Sequence, residues 1–167
     1  MPHLFVFTIL FARMAFSKAQ TPSSTDPCVS YSTINNAYRS TGYKPRAGID
    51  PLICDDKLQT GWYRFINKVG GKMPETKIAP YHCGTYAPIW MQPPHPATAD
   101  GIVDKTACMN YNGMNNGCMA LSIKVKNCND HYFVYHLTAT FGCPMAYCAG
   151  LLRGIFNYLT PISVHVV

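Results

Sequence analysis

The chain has 167 residues, with 14 Lys and Arg against 8 Asp and Glu and a formal net charge of +6 when the histidines are neutral. That length fits one domain, and so mild a charge argues for neither nucleic acid nor an anionic membrane as partner. A chain of this size buries roughly 68–70% of its unfolded surface, so cross-links are not needed merely to make a core.

The first 19 residues read as an export signal. Residues 4–16 are apolar apart from Thr8 and Arg13, and Ser17-Lys18-Ala19 offers small residues at a cut after Ala19. The run is too short to span a bilayer, which needs about 20 apolar residues. Residues 20–27 form a polar, Pro- and Ser-containing lead-in. In residues 28–40, Tyr31, Ile34 and Tyr38 recur at i, i+3 and i+7, which predicts a short helix. Gly42, Pro45, Gly48 and Pro51 then break the chain into a loop.

Residues 61–66, Gly-Trp-Tyr-Arg-Phe-Ile, suit a half-buried strand, and Gly70-Gly71 marks the turn after it. A second short strand covers residues 87–91. Pro93, Pro94 and Pro96 then force a surface loop. Asp100-Gly101 turns into Ile102-Val103, and residues 109–117 are a loop rich in Gly and Asn between Cys108 and Cys118.

The clearest pattern lies between Cys118 and Cys148. Leu121, Ile123 and Val125 alternate with Ser122, Lys124 and Lys126, the period of a half-buried strand. Asn127-Cys128-Asn129-Asp130 supplies turn chemistry, and an aromatic and β-branched run follows over residues 132–138. This predicts a hairpin with Cys128 at its turn. Residues 149–167 lie beyond the last cysteine as an apolar tail, interrupted by Arg153, Asn157, Pro161 and His165 and unsuited to crossing a membrane.

Eight cysteines behind an export signal read as four disulfides. No pair has the C-x-x-C spacing of a zinc knuckle or a dithiol redox site. Spacing alone leaves the pairing open.

No motif places a nucleophile beside a base. His131 and His136 are five apart and point to opposite faces of a strand, and neither His82 nor His95 has an acid near it in sequence. Asp55-Asp56 is not set in a loop of alternating oxygen ligands for calcium. No catalytic residue, metal ligand or cofactor is therefore expected. On residues 132–138 one face carries Tyr132, Val134, His136 and Thr138, and the other carries Phe133, Tyr135 and Leu137. Either both are buried between layers, or the Tyr/His face is exposed to bind a glycan or protein. The candidate binding surface is Tyr132, Val134 and His136, with Trp90 and His95.

Many short stretches fit one known pattern in order. They include Asp26-Pro27-Cys28, Tyr38-Arg39-Ser40-Thr41-Gly42-Tyr43, Cys54-Asp55, Gly61-Trp62-Tyr63-Arg64-Phe65, and Met73 with Glu75-Thr76. Trp90 with His95-Pro96, Gly101-Ile102-Val103, Ala107-Cys108, Val125-Lys126-Asn127-Cys128, Tyr132-Phe133-Val134-Tyr135-His136-Leu137 and Ala146-Tyr147-Cys148 continue it. From about residue 26 to residue 149 the chain resembles the eight-cysteine extracellular module of the family of uromodulin, the pancreatic zymogen-granule membrane glycoprotein and the oncoprotein-induced transcript 3 type proteins.

The resemblance implies a mostly β, disulfide-tied antiparallel module over residues 28–148, here with a short N-terminal helix. It implies a secreted, extracellular, non-catalytic chain whose partner is an extracellular protein or glycan. It also implies bridges from Cys28 to Cys128, Cys54 to Cys143, Cys83 to Cys148 and Cys108 to Cys118. Uromodulin-like members carry two more cysteines, one where Lys77 stands and one in the Gly117 region. Their joint absence is expected if those two pair with each other. The family module also displays N-glycans, including a decoy for a mannose-binding bacterial adhesin. The matching positions here are Gln92-Pro93-Pro94 and His136-Leu137-Thr138, which lack asparagine, and no N-x-S/T occurs in the chain. The alternative role is a structural or matrix module, or a fragment of a larger mosaic protein.

Overall fold

A computed structural model describes residues 26–66, 70–111 and 114–150. The export signal, most of the lead-in and nearly all of the apolar tail lie outside the described residues.

Seven strands form one sheet: β1 (Ser32–Ile34), β2 (Gly61–Phe65), β3 (Ala87–Met91), β4 (Ile102–Met109), β5 (Met119–Cys128), β6 (Tyr132–Leu137) and β7 (Met145–Tyr147). Their order across the sheet is β1-β2-β6-β5-β4-β3-β7. The β4–β5 and β5–β6 hairpins are its centre, with Val103 opposite Val125 and Val125 opposite Tyr135. The β5–β6 turn uses positive φ at Asn129 and Asp130, 54° and 59°, which Asn and Asp tolerate better than most residues. The Asn127 side chain accepts the Asp130 N–H at 2.8 Å.

The expected architecture needs two corrections. The sheet is not wholly antiparallel, because β1–β2 and β3–β7, its outermost pairs, are parallel. No helix forms over residues 28–40. Ser32–Ile34 is an edge strand, and Ala37–Arg39 is a single 3-10 turn whose start is capped by the Asn36 side chain accepting Tyr38 N–H at 2.9 Å. The three residues at helical spacing serve three different neighbours. Tyr31 meets Tyr132, Ile34 pairs beside Phe65, and Tyr38 stacks on Tyr43 while staying exposed.

The core lies on one face of the sheet. Phe65, Ile89, Met91, Ala107, Met109, Ile123, Val125, Tyr135, Leu137 and Tyr147 all point into it, joined by Met73. The sheet is curled. Tyr147 on β7 donates its hydroxyl to Thr138 O, just past β6, at 3.1 Å. Those strands are four steps apart in the sheet, about 19 Å if it were flat.

The four bridges join Cys28 to Cys128, Cys54 to Cys143, Cys83 to Cys148 and Cys108 to Cys118, with Cα–Cα distances from 4.5 to 5.7 Å. These are the pairs the resemblance implies, and each has one end in the stretch from Cys118 to Cys148. Closing a loop as long as that between Cys28 and Cys128, a separation of 100 residues, is worth up to ~4.7 kcal/mol in a chain-entropy treatment. Lys77 and Gly117, the positions tied to the two missing family cysteines, also adjoin. Lys77 Nζ donates to Asn116 O at 2.9 Å, and a Cβ on Gly117 would collide with Lys77 Cε.

Candidate functional site

β2 and β6 are neighbours, so alternation along each builds two faces. Tyr63, Phe65, Tyr135 and Leu137 point to the core. Trp62 and Arg64, with Tyr132, Val134 and His136, belong to the opposite face. There Trp62 lies directly across from His136, their rings edge-to-face at 5.3 Å. Lys124 on β5 is across from His136, and Asp104 on β4 is across from Lys124. These last two form an exposed ion pair at 2.6 Å.

The next row is cationic and aromatic. The Arg64 guanidinium sits over the Tyr132 ring, 3.7 Å from its centroid, and its Nη1 donates to the Tyr31 hydroxyl at 3.1 Å. Tyr31 and Tyr132 pack edge-to-face at 5.8 Å, and Tyr132 donates its hydroxyl to Cys28 O at 2.7 Å. The Arg64 hydrogen bond lowers the Tyr31 pKa below its ordinary value, and burial raises that of Tyr132. Lys126, opposite Val134, is paired with Asp26 at 2.9 Å. Among the described residues no carboxylate pairs with Arg64.

The sequence-predicted surface is only partly brought together here. Tyr132 and His136 are half-buried on this face. Val134 lies between them but is fully buried and serves as floor. Trp90 is on the same side, across from Cys108 on β4, yet three strands away from β6. It packs instead on Ile78, Cys83 and Cys148.

His95 is on the other side of the sheet, its ring 4.5 Å from that of Phe133 and its side chain only 3% exposed. Its Nδ1 bonds Glu75 Oε1 at 2.5 Å, and its Nε2 meets the Tyr135 hydroxyl at 2.9 Å. That hydroxyl in turn accepts Met73 N–H at 3.0 Å. The acid that sequence proximity failed to supply for His95 comes from 20 residues upstream.

Burial pushes His95 down to about 4, against the pull of Glu75. The bonding agrees. With Tyr135 oxygen already accepting from Met73, its own O–H finds an acceptor in a neutral His95 Nε2, while Nδ1–H donates to Glu75. Burial works against the Glu75 carboxylate, but the bonds from His95 outweigh it and hold its pKa below the ordinary value. Burial raises Tyr135 far above a normal phenol. This acid–imidazole–phenol chain resembles a catalytic relay in order only. Its terminal hydroxyl is fully buried and offers no atom to a substrate.

Nor does Asp55 suit calcium, since it is 2% exposed and both its oxygens are held by Arg39. Among the described residues no group of three or more His, Cys, Asp or Glu is placed to hold a metal.

Residues 63–149 match the family model of the uromodulin-like, eight-cysteine domain. The chain belongs to this uromodulin-like family. It is similar to the pancreatic secretory granule membrane major glycoprotein GP2 of Rattus norvegicus, 42% identical over 127 residues, covering 74% of this chain and 23% of that protein. The same glycoprotein of Homo sapiens is 39% identical over 124 residues, covering 74% and 22%. Uromodulin of Mus musculus is 39% identical over 125 residues, covering 74% and 18%. The chain thus spans less than a quarter of the length of these relatives. Among the described residues no helix is long and apolar enough to cross a membrane. In this uromodulin-like module Met73, Glu75, His95 and Tyr135, all among the residues that carried the resemblance, are one hydrogen-bonded cluster, and so hold the fold rather than present chemistry.

Proposed function

We propose that the chain is a secreted, non-catalytic binding module that recognises an extracellular protein or glycan. Its binding surface is the sheet face carrying Tyr31, Trp62, Arg64, Tyr132 and His136. The observation that carries this reading is the half-buried aromatic row around an Arg64 that no described carboxylate neutralises. Core-facing chains of the same strands are satisfied by packing, whereas this face keeps rings and a cation partly in water, as binding surfaces do. Residues 1–19 are removed as an export signal, and the four bridges suit an oxidising compartment.

The test begins with the intact mass of protein secreted from eukaryotic cells, with and without reduction. The expected product starts at Gln20, resists alkylation until reduced, and then gains eight adducts. Binding to arrayed extracellular glycans and proteins, lost on substitution of Trp62, completes it. A retained N-terminus or free thiols would overturn the secreted reading. A second reading, a module within a larger mosaic protein, is favoured by its covering only 18–23% of its relatives' lengths. A longer secreted product carrying further domains would establish it.

A further inference from the structure

We infer that the face around Arg64 is a receptor for an acidic saccharide, one bearing a carboxylate or sulfate on a sugar ring. This deepens the binding-module reading and rests on it.

The argument starts with charge. Among the described residues this face carries Arg64, Lys124 and Lys126. The two lysines are matched by Asp104 and Asp26, and Arg64 is left over. Arg64 is also held in place, because Tyr132 stacks under its guanidinium and Tyr31 takes one of its N–H groups. A guanidinium has five N–H donors in a planar fork suited to carboxylate and sulfate oxygens. A fixed fork loses little freedom when an anion binds.

The second part is shape. Trp62 and Arg64 are two residues apart on β2 and point to the same side, about 7 Å from each other. That is close to the width of one sugar ring, so a ring lying on Trp62 brings its acidic group to Arg64. Trp62 is itself steadied by His136. An acidic peptide fits less well. The β7 edge, where an added strand would bond, is already occupied. Asp55 Oδ2 accepts Tyr147 N–H, and Arg39 donates to Tyr147 O.

The experiment uses the full chain secreted from eukaryotic cells, at low and moderate salt. The probes are 3′-sialyllactose for the carboxylate, a heparin-derived tetrasaccharide for the sulfate, and lactose as the neutral control. Calorimetry reads affinity, and two-dimensional NMR reads the Trp62 indole N–H. The expected result is binding of one or both acidic probes but not lactose, with the Trp62 signal shifted. Arg64→Gln should weaken binding at least about tenfold, and Arg64→Lys by less, since it keeps charge but loses the fork. Lys57→Gln removes the same charge from an exposed loop residue and should change nothing.

Equal loss in Lys57→Gln and Arg64→Gln overturns the inference in favour of diffuse charge. Equal binding of lactose overturns it in favour of a neutral glycan. Acidic probes that leave Trp62 unshifted also overturn it, even if no Arg64 variant can be secreted. Secreted, fully bridged protein that ignores both acidic probes sinks this inference alone. Retained protein with free thiols sinks the underlying reading before any sugar is added.

Discussion

Arg39 and Asp55 close the β7 edge of the sheet. Arg39 Nη2 meets Asp55 Oδ1 at 2.6 Å and Nη1 meets Oδ2 at 2.7 Å, with both side chains almost wholly buried. The pair then takes the two main-chain groups that Tyr147 would otherwise offer a further strand. Tyr147 N donates to Asp55 Oδ2 at 2.8 Å, and Arg39 Nη1 donates to Tyr147 O at 3.0 Å. Asp55 N also donates to Met145 O. Open edges invite pairing with other chains, and here an ion pair occupies the place of the missing strand.

Breaking that pair strands a buried charge. Asp55→Asn keeps an acceptor for Tyr147 but leaves Arg39 uncompensated, so a loss of about 3–5 kcal/mol is expected in urea unfolding. Replacing both, Arg39→Met with Asp55→Leu, should cost less than either single change predicts, because no lone charge remains. A double variant that loses the sum of the singles would show that the two residues act separately. The double variant should also gain a concentration-dependent tendency to associate, read by light scattering, since its β7 edge is open.

The hairpin from Cys118 to Cys148 was legible because its information is local. Period-two alternation and an Asn-Asp turn lie within a few residues of one another. The same was true of the strand at residues 87–91, whose bounds agree with the sequence reading. The polar clusters were not legible. Arg39 and Asp55 are 16 apart, Glu75 and His95 are 20 apart, and His95 and Tyr135 are 40 apart. No pattern spans such gaps. The failed helix has the opposite cause, since Tyr31, Ile34 and Tyr38 have helical spacing by coincidence. Of the predicted surface, strand alternation placed Tyr132 and His136 on one face correctly. It could not reveal that Val134 is buried between them, or that His95 packs beneath the sheet's other side.

His95 makes stability depend on pH. Its folded pKa, about 4, lies below the ordinary value of 6.5. The buried ring is neutral, so the unfolded chain takes up the proton first. Its contribution is complete above pH 6.5 and falls as the pH drops from 6.5 towards 4. The groups facing it are Glu75, Lys72, Lys105 and Tyr135. The total loss from His95 is about 3 kcal/mol. Glu75, also lowered, adds a further loss below its unfolded value of 4.5. His95→Asn should be less stable at neutral pH but lose less on acidification. A wild-type unfolding midpoint that stays flat from neutral pH down to about pH 5 would contradict the neutral, buried assignment.

The accessible side of the sheet can be marked chemically. His136→Asn turns residues 136–138 into Asn-Leu-Thr, an N-glycosylation acceptor. The side chain at 136 is half-buried against Trp62 yet lies on the face away from the core. The variant secreted from eukaryotic cells should gain the mass of one N-glycan, removable by an endoglycosidase. The added chain should also block ligand binding at Arg64 and Trp62. A variant that is secreted without the added mass would mean that this face is covered.

Lys77 and Gly117 supply the last prediction. The Lys77 side chain occupies the space a Cβ on Gly117 would need, with Nζ 2.5 Å from that position and Cε closer still. Gly117 alone to Cys must therefore displace Lys77, and at φ +80° it also strains the backbone. Lys77→Cys with Gly117→Cys removes the obstruction and sets two thiols side by side. The double variant should be secreted with no free thiol and show ten adducts after reduction, two more than the eight native cysteines give. The single Gly117→Cys should be secreted poorly or carry a reactive thiol. The cross-link closes a long loop and so opposes the strain at residue 117. Its net effect is read as the shift in Tm between the oxidised double variant and the native chain. Two persistent free thiols in the double variant would show that the family's extra pair does not map onto these positions.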